Sequence, residues 1–294
     1  MRVLVTGSTG GIGQSLIATL RATDPEQIFT LNRWSRGRQS DVWNHLADLN
    51  DVMAVRKAVM AVKPDVVIHL AANASIRQAI SNPMEALQVN VMGTAALIES
   101  CKEAEVRAFI LASSAEVYGA QSDQPLNEES LPVPTTNYAL AKLLAEGLLK
   151  ISGLPYVIMR PFNTYGAGGS VVDTFIERAT KREGVACLGD WRTRDFLFIA
   201  DHVRAYLSVL ARLDVALGHT FCFCTGTEVA IETVGSMIAT GHLLVQAPPP
   251  RDDGMPRLVG NPEKARRMLG WEPLYSLDSG IKKAVEEWKR ALPR

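Results

Sequence analysis

Tyr138 and Lys142 stand four residues apart in Thr136-Asn137-Tyr138-Ala139-Leu140-Ala141-Lys142. The run from Tyr138 to Lys150 is dominated by Ala, Leu, Lys and Glu, with no Pro or β-branched residue before Ile151, and predicts a helix. Positions four apart share a helix face, so the phenol and the ammonium can point into one space. A phenol titrates near pH ~10, and a cation held close favours its ionised form. Tyr138 is therefore a candidate acid/base for exchanging a proton with a substrate hydroxyl. Such a pair is common on amphipathic helices and carries little alone; the neighbouring motifs decide its meaning.

The elements that must position this pair begin at the N-terminus. Arg2-Val3-Leu4-Val5-Thr6 is a β-branched run followed at once by Gly7-Ser8-Thr9-Gly10-Gly11-Ile12-Gly13 and a helical pattern from Gln14 to Arg21. Strand, glycine turn and helix together form the context in which a glycine motif binds a dinucleotide. Gly7 allows the tight turn, Gly10 lets the pyrophosphate approach the backbone, and Gly13 lets helix and strand pack closely. The helix N-terminus then offers unpaired N–H groups to the phosphates.

Ile28-Phe29-Thr30-Leu31 reads as the second strand, and Asn32-Arg33 stands where an NAD site places an acid on the ribose 2′-hydroxyl. Arg36 and Arg38 follow, either as further phosphate ligands or as a basic surface loop. Arginine supplies the forked cationic donors that a 2′-phosphate needs, so NADP is expected ahead of NAD. Asp48-Leu49 is placed for the adenine, with the Asp48 carboxylate accepting from the amino group.

Pro64 to Ala72 is a continuous apolar strand of the kind a parallel sheet buries on both faces. Its small end, Ala71-Ala72, is expected under the cofactor, and His69 reads as a satisfied core residue rather than a catalyst. A helix is expected over Pro83–Cys101, carrying Asn90, and then a strand from Ala108 to Ala112 that ends in Ser113-Ser114-Ala115-Glu116. Ligands of open α/β sheets bind at strand carboxyl ends, where these hydroxyls and this carboxylate fall. A strand over Pro155–Pro161 leads into Phe162-Asn163-Thr164. Further on, a helix over Val171–Lys181, a strand over Arg192–Ile199, a helix over Asp201–Leu213, a buried strand around Phe221–Cys224, a loop over Ala247–Gly254 and helices from Pro262 and Leu277 are expected. The alternation implies an α/β, doubly wound parallel sheet of the Rossmann type.

Composition narrows the classes of partner. Lys+Arg and Asp+Glu are 31 each in 294 residues, so no net charge draws the chain to nucleic acid or to an anionic membrane. An anionic substrate must then meet locally placed arginines. No apolar run approaches the ~20 residues of a membrane span, no signal-peptide layout precedes Val3-Leu4-Val5, and a cytoplasmic location is expected. The four cysteines show neither zinc spacing nor a disulfide framework, and no metal site is expected.

The glycine turn, Asp48-Leu49, His69-Leu70-Ala71-Ala72, the Ser114/Glu116 strand end, Tyr138 with Lys142, and Arg160-Pro161-Phe162-Asn163 resemble the extended short-chain dehydrogenase/reductases. These are nucleotide-sugar epimerases, dehydratases and reductases. Arg194-Asp195-Phe196, Arg251 and the stretch Gly260–Ala265 through Leu269-Gly270-Trp271-Glu272-Pro273 extend the resemblance over essentially the whole chain. It implies a dinucleotide domain over residues 1–165 and a mainly substrate-binding domain over 166–294, with segments around 195–225 returning to the core. It also implies Tyr138 as acid/base at the sugar 4-position, Lys142 on the nicotinamide ribose and lowering the pKa of Tyr138, and Ser114 on the same sugar oxygen. Gly7, Thr9, Gly10, Gly11, Ile12, Gly13, Asn32, Arg33, Arg36, Asp48, Leu49, Leu70, Ala71, Ala72 and Asn90 would hold the cofactor. Ser75, Ser114, Glu116, Asn163, Arg194 and Arg251 would hold a nucleoside-diphosphate sugar, the two arginines neutralising its diphosphate; Asp252 stands where the family usually follows that last arginine with proline. A homodimer through the Pro83–Cys101 and Tyr138–Lys150 helices is implied in the same way.

Within the family, Glu116 aligns with the glutamate with which 4,6-dehydratases remove the proton beside a 4-keto group. Ala115, where the dTDP-glucose dehydratases place an aspartate, departs from that subgroup. Asn32-Arg33, Ala115-Glu116 and Met255–Gly260 look most like the GDP-mannose 4,6-dehydratases and GDP-4-keto-6-deoxymannose reductases, and the chain length suits the reductases. A 4-epimerase needs only Ser, Tyr and Lys, with Glu116 then structural. A silent dinucleotide sensor typically loses Tyr or Lys, and an enzyme of uncharged carbonyls has no use for paired arginines.

Overall fold

Apolar residues on consecutive positions of a strand point to opposite faces of a sheet, so a strand that is apolar throughout must be covered on both sides. β1 (Val3–Thr6) is such a strand over Val3-Leu4-Val5, and it is buried at every position. The computed structural model, which describes residues 1–34, 43–121, 123, 125–239, 244–247 and 255–291, builds a parallel sheet around it. In chain order follow α1 (Gly11–Arg21), β2 (Ile28–Asn32), β3 (Trp43–Leu46), α2 (Val52–Val62), β4 (Val66–His69), α3 (Ile76–Ser81) and α4 (Pro83–Leu87). A π-helical turn over Gln88–Met92 leads into α5 (Gly93–Glu103), then β5 (Ala108–Ala112), α6 (Asn137–Ile151) and β6 (Tyr156–Pro161). The second half comprises β7 (Asn163–Tyr165), α7 (Val171–Thr180), β8 (Val185–Leu188), β9 (Thr193–Arg194), β10 (Phe196–Phe198), α8 (Ile199–Ala211), α9 (Leu213–Ala216) and β11 (His219–Phe223). It closes with β12 (Val229–Ala230), α10 (Ile231–Ile238), β13 (Leu244–Gln246), β14 (Arg257–Leu258), α11 (Glu263–Leu269) and α12 (Leu277–Ala291).

Seven strands pair in the order β11-β6-β5-β4-β1-β2-β3, all parallel. Val3, Val5, Ile110 and Met159 face a core shared with α1 and α8. Leu4, Val67, Phe109 and Ile158 face the opposite core, shared with α2, α5 and α6. The order reverses between β1 and β4, and the carboxyl ends beside that switch are where a doubly wound sheet takes its ligand. The remaining strands form small separate sheets: β10 with β7, β12-β9-β14, and β13 with β8.

Several expected elements change shape for definable reasons. The strand expected over Arg192–Ile199 divides into β9 and β10, which belong to different sheets. Between them Asp195 is wholly buried, its carboxylate accepting from the Thr225 amide at 2.8 Å, the Thr225 hydroxyl at 2.7 Å and the Gly226 amide at 2.8 Å. The helix expected over Pro83–Cys101 is interrupted by the π turn, and the apolar strand expected over Pro64–Ala72 contracts to Val66–His69. The strands β3, β8, β12, β13 and β14 and the helices α2, α3, α9 and α10 carried no expectation. The expected loop over Ala247–Gly254 lies largely outside the described residues.

One polar cluster fixes α6 on the sheet. Glu146, fully buried, accepts from Arg160 Nε at 2.9 Å and Nη2 at 2.5 Å, and from the Ser113 hydroxyl at 2.5 Å. The Arg160 guanidinium lies 4.8 Å from the centroid of the Tyr118 ring. This pair ties α6 to β6 and to the end of β5, so the helix bearing Tyr138 and Lys142 is held against the strand end bearing Ser114.

Candidate active site

The glycine turn after β1 is shaped for close approach. Gly7 sits at φ +71°, and a Cβ there would fall 2.6 Å from the Ala71 amide nitrogen. At Gly13 a Cβ would lie 2.4 Å from the Gly7 carbonyl oxygen, so only glycine lets α1 pack onto the turn. Gly10 is the N-cap of α1 and supplies no side chain to cap it, which leaves the N–H groups of Gly11 and Ile12 for an anion. These features fit the diphosphate of a dinucleotide, which supplies hydride exchange when bound.

At the end of β2, Asn32 is buried rather than presented to solvent. Its amide donates to Ser8 Oγ at 2.9 Å and to Asn44 Oδ1 at 3.1 Å, and its oxygen accepts from Ser8 at 3.1 Å. Arg33 is half exposed, 3.9 Å over the Trp34 ring and 4.0 Å from Asp48. Asp48 also accepts from the Asn50 amide at 2.9 Å. Leu49 is buried against Gly93. Arg36 and Arg38 lie outside the described residues.

Under the turn, His69 is the satisfied core residue expected of it. Nδ1 meets the Thr6 hydroxyl at 2.7 Å and Nε2 meets the Thr94 hydroxyl at 2.9 Å. Thr94 donates to the Asn90 carbonyl at 2.7 Å and the Ala71 amide donates to Thr6 at 3.1 Å, so one consistent set of bonds puts the His69 proton on Nε2. Burial pushes His69 down to about 3, which keeps it neutral. Asn90, in the π turn, accepts from the Asn73 amide at 2.7 Å and donates to the Asn73 carbonyl at 3.0 Å. The clamp leaves Asn73 Oδ1 buried with no partner among the described residues. Asn73 carried no expectation, since its partner lies 17 positions away and no local motif marks it. Ser75 caps α3, accepting from the Gln78 amide at 3.2 Å, a structural role beside any contact with substrate.

Tyr138, Lys142, Ser114 and Glu116 do come together at the end of β5. Thr136 caps α6 by accepting from the Ala139 amide at 3.1 Å, which starts the helix one residue before Tyr138. The Tyr138 hydroxyl lies beside Ser114 and feels the charge of Glu116. The expected lowering of its pKa by Lys142 is not what this structure shows. Burial pushes the phenol up to about 12, the Ser114 hydroxyl pulls it back, and Glu116 pushes it further up. The Lys142 ammonium instead donates to the Ala112 carbonyl at 2.7 Å, 6.0 Å from the centroid of the Tyr138 ring. Burial lowers Lys142 to about 8, with Glu146 opposing. Shared helix face was legible in the spacing; loss of water, which dominates both titrations, was not.

Asn163, expected to hold substrate, has its Oδ1 buried and unpartnered among the described residues, an acceptor held on β7. Arg194 is buried, its Nη1 donating to the Thr193 carbonyl at 2.8 Å and the Pro256 carbonyl at 3.5 Å. The structure thus anchors Arg194 to the β9–β14 edge. Arg251 lies outside the described residues. The four cysteines are buried and free, no group of His, Cys, Asp and Glu among the described residues could hold a metal, and no described helix is long and apolar enough to cross a membrane.

Comparison with known proteins matches residues 3–221 to the NAD dependent epimerase/dehydratase family. A UDP-glucose 4-epimerase of Mycolicibacterium smegmatis is 32% identical over 97% of this chain and 98% of its own length. A GDP-6-deoxy-D-mannose reductase of Pseudomonas aeruginosa is 28% identical over 98% of this chain and 97% of its own. The crystal structure of a Thermotoga maritima UDP-glucose 4-epimerase with UDP-glucose superposes with a TM-score of 0.91 at 26% identity, covering 100% of both chains.

The depressed Lys142 has a consequence for stability. The unfolded chain holds its lysine proton up to the ordinary value of 10.5, whereas the folded chain releases it near 8. The folded state therefore bears its full penalty below about pH 8, and stability rises with pH between the two values. Lys142→Met should raise the melting temperature at pH 7 by roughly a few degrees, the gap closing toward pH 10, while turnover is lost. Calorimetry of the two proteins without dinucleotide checks this; a variant that melts lower at pH 7 contradicts it.

Proposed function

The chain belongs to the NAD dependent epimerase/dehydratase family of nucleotide-sugar enzymes, and from that premise we propose that it acts at C4 of a nucleoside-diphosphate sugar. The observation that carries the reading is the buried Tyr138 hydroxyl, beside Ser114 and Glu116. A phenol pushed up to about 12 is protonated at neutral pH and so is a proton donor. In the reductive direction C4 of a 4-keto sugar receives the hydride and Tyr138 gives its proton to the C4 oxygen, which Ser114 also holds. Lys142, its ammonium 6.0 Å from the centroid of the Tyr138 ring, then faces the phenolate that remains, and an external proton restores the phenol. In the oxidative direction the same proton moves back. The first reading is a reductase of a 4-keto-6-deoxy sugar or a 4,6-dehydratase, supported by the Ala115-Glu116 pair. A 4-epimerase is the second, supported by the similarity to UDP-glucose 4-epimerases. A silent sensor is disfavoured by the intact Tyr138, Lys142 and Ser114.

The dinucleotide in this reading is NADP. Among the described residues no carboxylate follows β2 directly: Asn32 is turned inward to Ser8 and Asn44, and half-exposed Arg33 comes next, 4.0 Å from Asp48. Residues 1–165 hold the dinucleotide and 166–294 mainly the sugar nucleotide, with 195–225 contributing to the core. The setting is the reduced cytoplasm. A homodimer is supported by apolar surface at Met84 and Met92 and, on α6, at Leu140, Leu144 and Ile151, the last 83% exposed.

Tyr138→Phe should remove turnover while leaving dinucleotide affinity within a factor of about two, because the lost hydroxyl serves proton transfer; substantial remaining activity contradicts the donor role. Arg33→Ala should raise the Kd for NADPH about tenfold and leave NADH nearly unchanged, since only NADPH carries the phosphate; equal losses, read by fluorescence titration, contradict NADP. Glu116→Gln separates the chemistries: a dehydratase should fall by roughly a hundredfold or more in kcat, and a reductase or epimerase should keep much of its rate.

A further inference from the structure

Trp191 is 63% exposed in the turn between β8 and β9. Single exposed apolar residues are ordinary and call for no explanation. Trp191 differs because everything around it is fixed. The Gly189 amide donates to Glu232 Oε2 at 3.1 Å, and the Asp190 carbonyl accepts from the Glu232 amide at 3.2 Å. The Arg192 carbonyl accepts from the Ile231 amide at 2.9 Å. Arg192 closes a bidentate pair on Asp190 at 2.8 and 2.7 Å, and that charge holds the Asp190 carboxyl below its ordinary value although burial opposes it. The Trp191 amide itself donates to the Gly189 carbonyl at 3.2 Å. A turn tied at each residue, with an indole left outward, presents a flat apolar face at little conformational cost. Trp34, 49% exposed, lies by contrast under the Arg33 guanidinium. Trp191 has no ring or cation contact among the described residues.

The position of this face matters. Arg194, on β9, follows three residues later, so the two Cα atoms lie within roughly 10 Å of each other at ~3.3 Å per residue. A nucleoside diphosphate separates its base from its diphosphate by a span of the same order. Arg194 is the described arginine expected at the diphosphate, and it is anchored to the Thr193 and Pro256 carbonyls. Thr193 between them is occupied by Glu228, itself paired with Arg257.

We propose that the Trp191 indole is the stacking platform for the base of the nucleoside-diphosphate sugar whose diphosphate lies at Arg194; this rests on the nucleotide-sugar reading above. Every base has a π face, so a stacking platform supplies affinity without choosing the base. Uridine and guanosine diphosphates therefore gain from it alike, and discrimination between them falls to groups at the base edges.

Calorimetric titration of the full chain with NADPH present, using UDP and GDP as probes, tests this on the wild type, Trp191→Ala and Trp191→Phe. The alanine variant should weaken both nucleotides by roughly tenfold or more, the phenylalanine variant should keep most of the affinity, and NADPH should bind all three equally. An alanine variant that binds UDP and GDP as the wild type does overturns the platform while leaving the nucleotide-sugar reading intact. A loss of NADPH affinity matching the nucleotide loss means collapse of the turn rather than lost stacking, and overturns it. A wild type that binds neither nucleotide removes the nucleotide-sugar reading itself, and this inference with it.

Discussion

The site depends on a charge pair taken out of water. Glu146 and Arg160 are buried, and isolated charges there would cost several kcal/mol each. They persist because the carboxylate is saturated by the bidentate guanidinium and the Ser113 hydroxyl. The geometry that satisfies the pair also fixes where α6 meets the ends of β5 and β6. Glu146 lies four residues beyond Lys142, and Ser113 immediately precedes Ser114. Holding Glu146 therefore holds both ends of the Tyr138–Ser114 contact. The pair contributes placement more than net stability, since a buried ion pair is often matched by an apolar replacement.

That placement brings desolvation, which sets the chemistry. Tyr138 and Lys142 move in opposite directions for one reason: burial disfavours the phenolate and the ammonium alike. The result is a protonated phenol beside a lysine whose charge is weakly held. A bound dinucleotide would add its own charges, and the residues around Lys142 leave it anchored to the Ala112 carbonyl rather than to Tyr138. On the far side of the turn, the chain of bonds from Ala71 through Thr6, His69 and Thr94 to Asn90 keeps the end of β4 rigid without exposing a titrating imidazole.

Much of the frame was legible because it is local. The Gly7–Gly13 turn, the apolar runs of β1, β4, β5 and β6, and the 15-residue helix of Tyr138 and Lys142 are each written in one short continuous stretch. What was not legible is set by distant partners. Asn73 acquires its role from Asn90, and Glu146 from Arg160 and Ser113. The division of the Arg192–Ile199 run at Asp195 answers to amides some 30 residues later. Asn32 looked like a ribose ligand because of its place at a strand end; its side chain is spent on Ser8 and Asn44, which only the folded turn brings near. The sign of the Tyr138 shift was missed for the same reason, since spacing shows neighbours and not the absence of water.

The central claim is that Tyr138 exchanges a proton at C4 while a hydride passes to or from the same carbon. A panel of nucleoside-diphosphate sugars, run with and without NADPH and followed by nicotinamide absorbance and by mass and NMR of the sugar, tests it most directly. The account predicts a product altered at C4: NADPH consumed with a 4-keto sugar and not with its parent for a reductase, or turnover with no net change in cofactor for a dehydratase or epimerase, told apart by loss of water. A panel in which no sugar nucleotide is altered at C4, with dinucleotide bound, would contradict it.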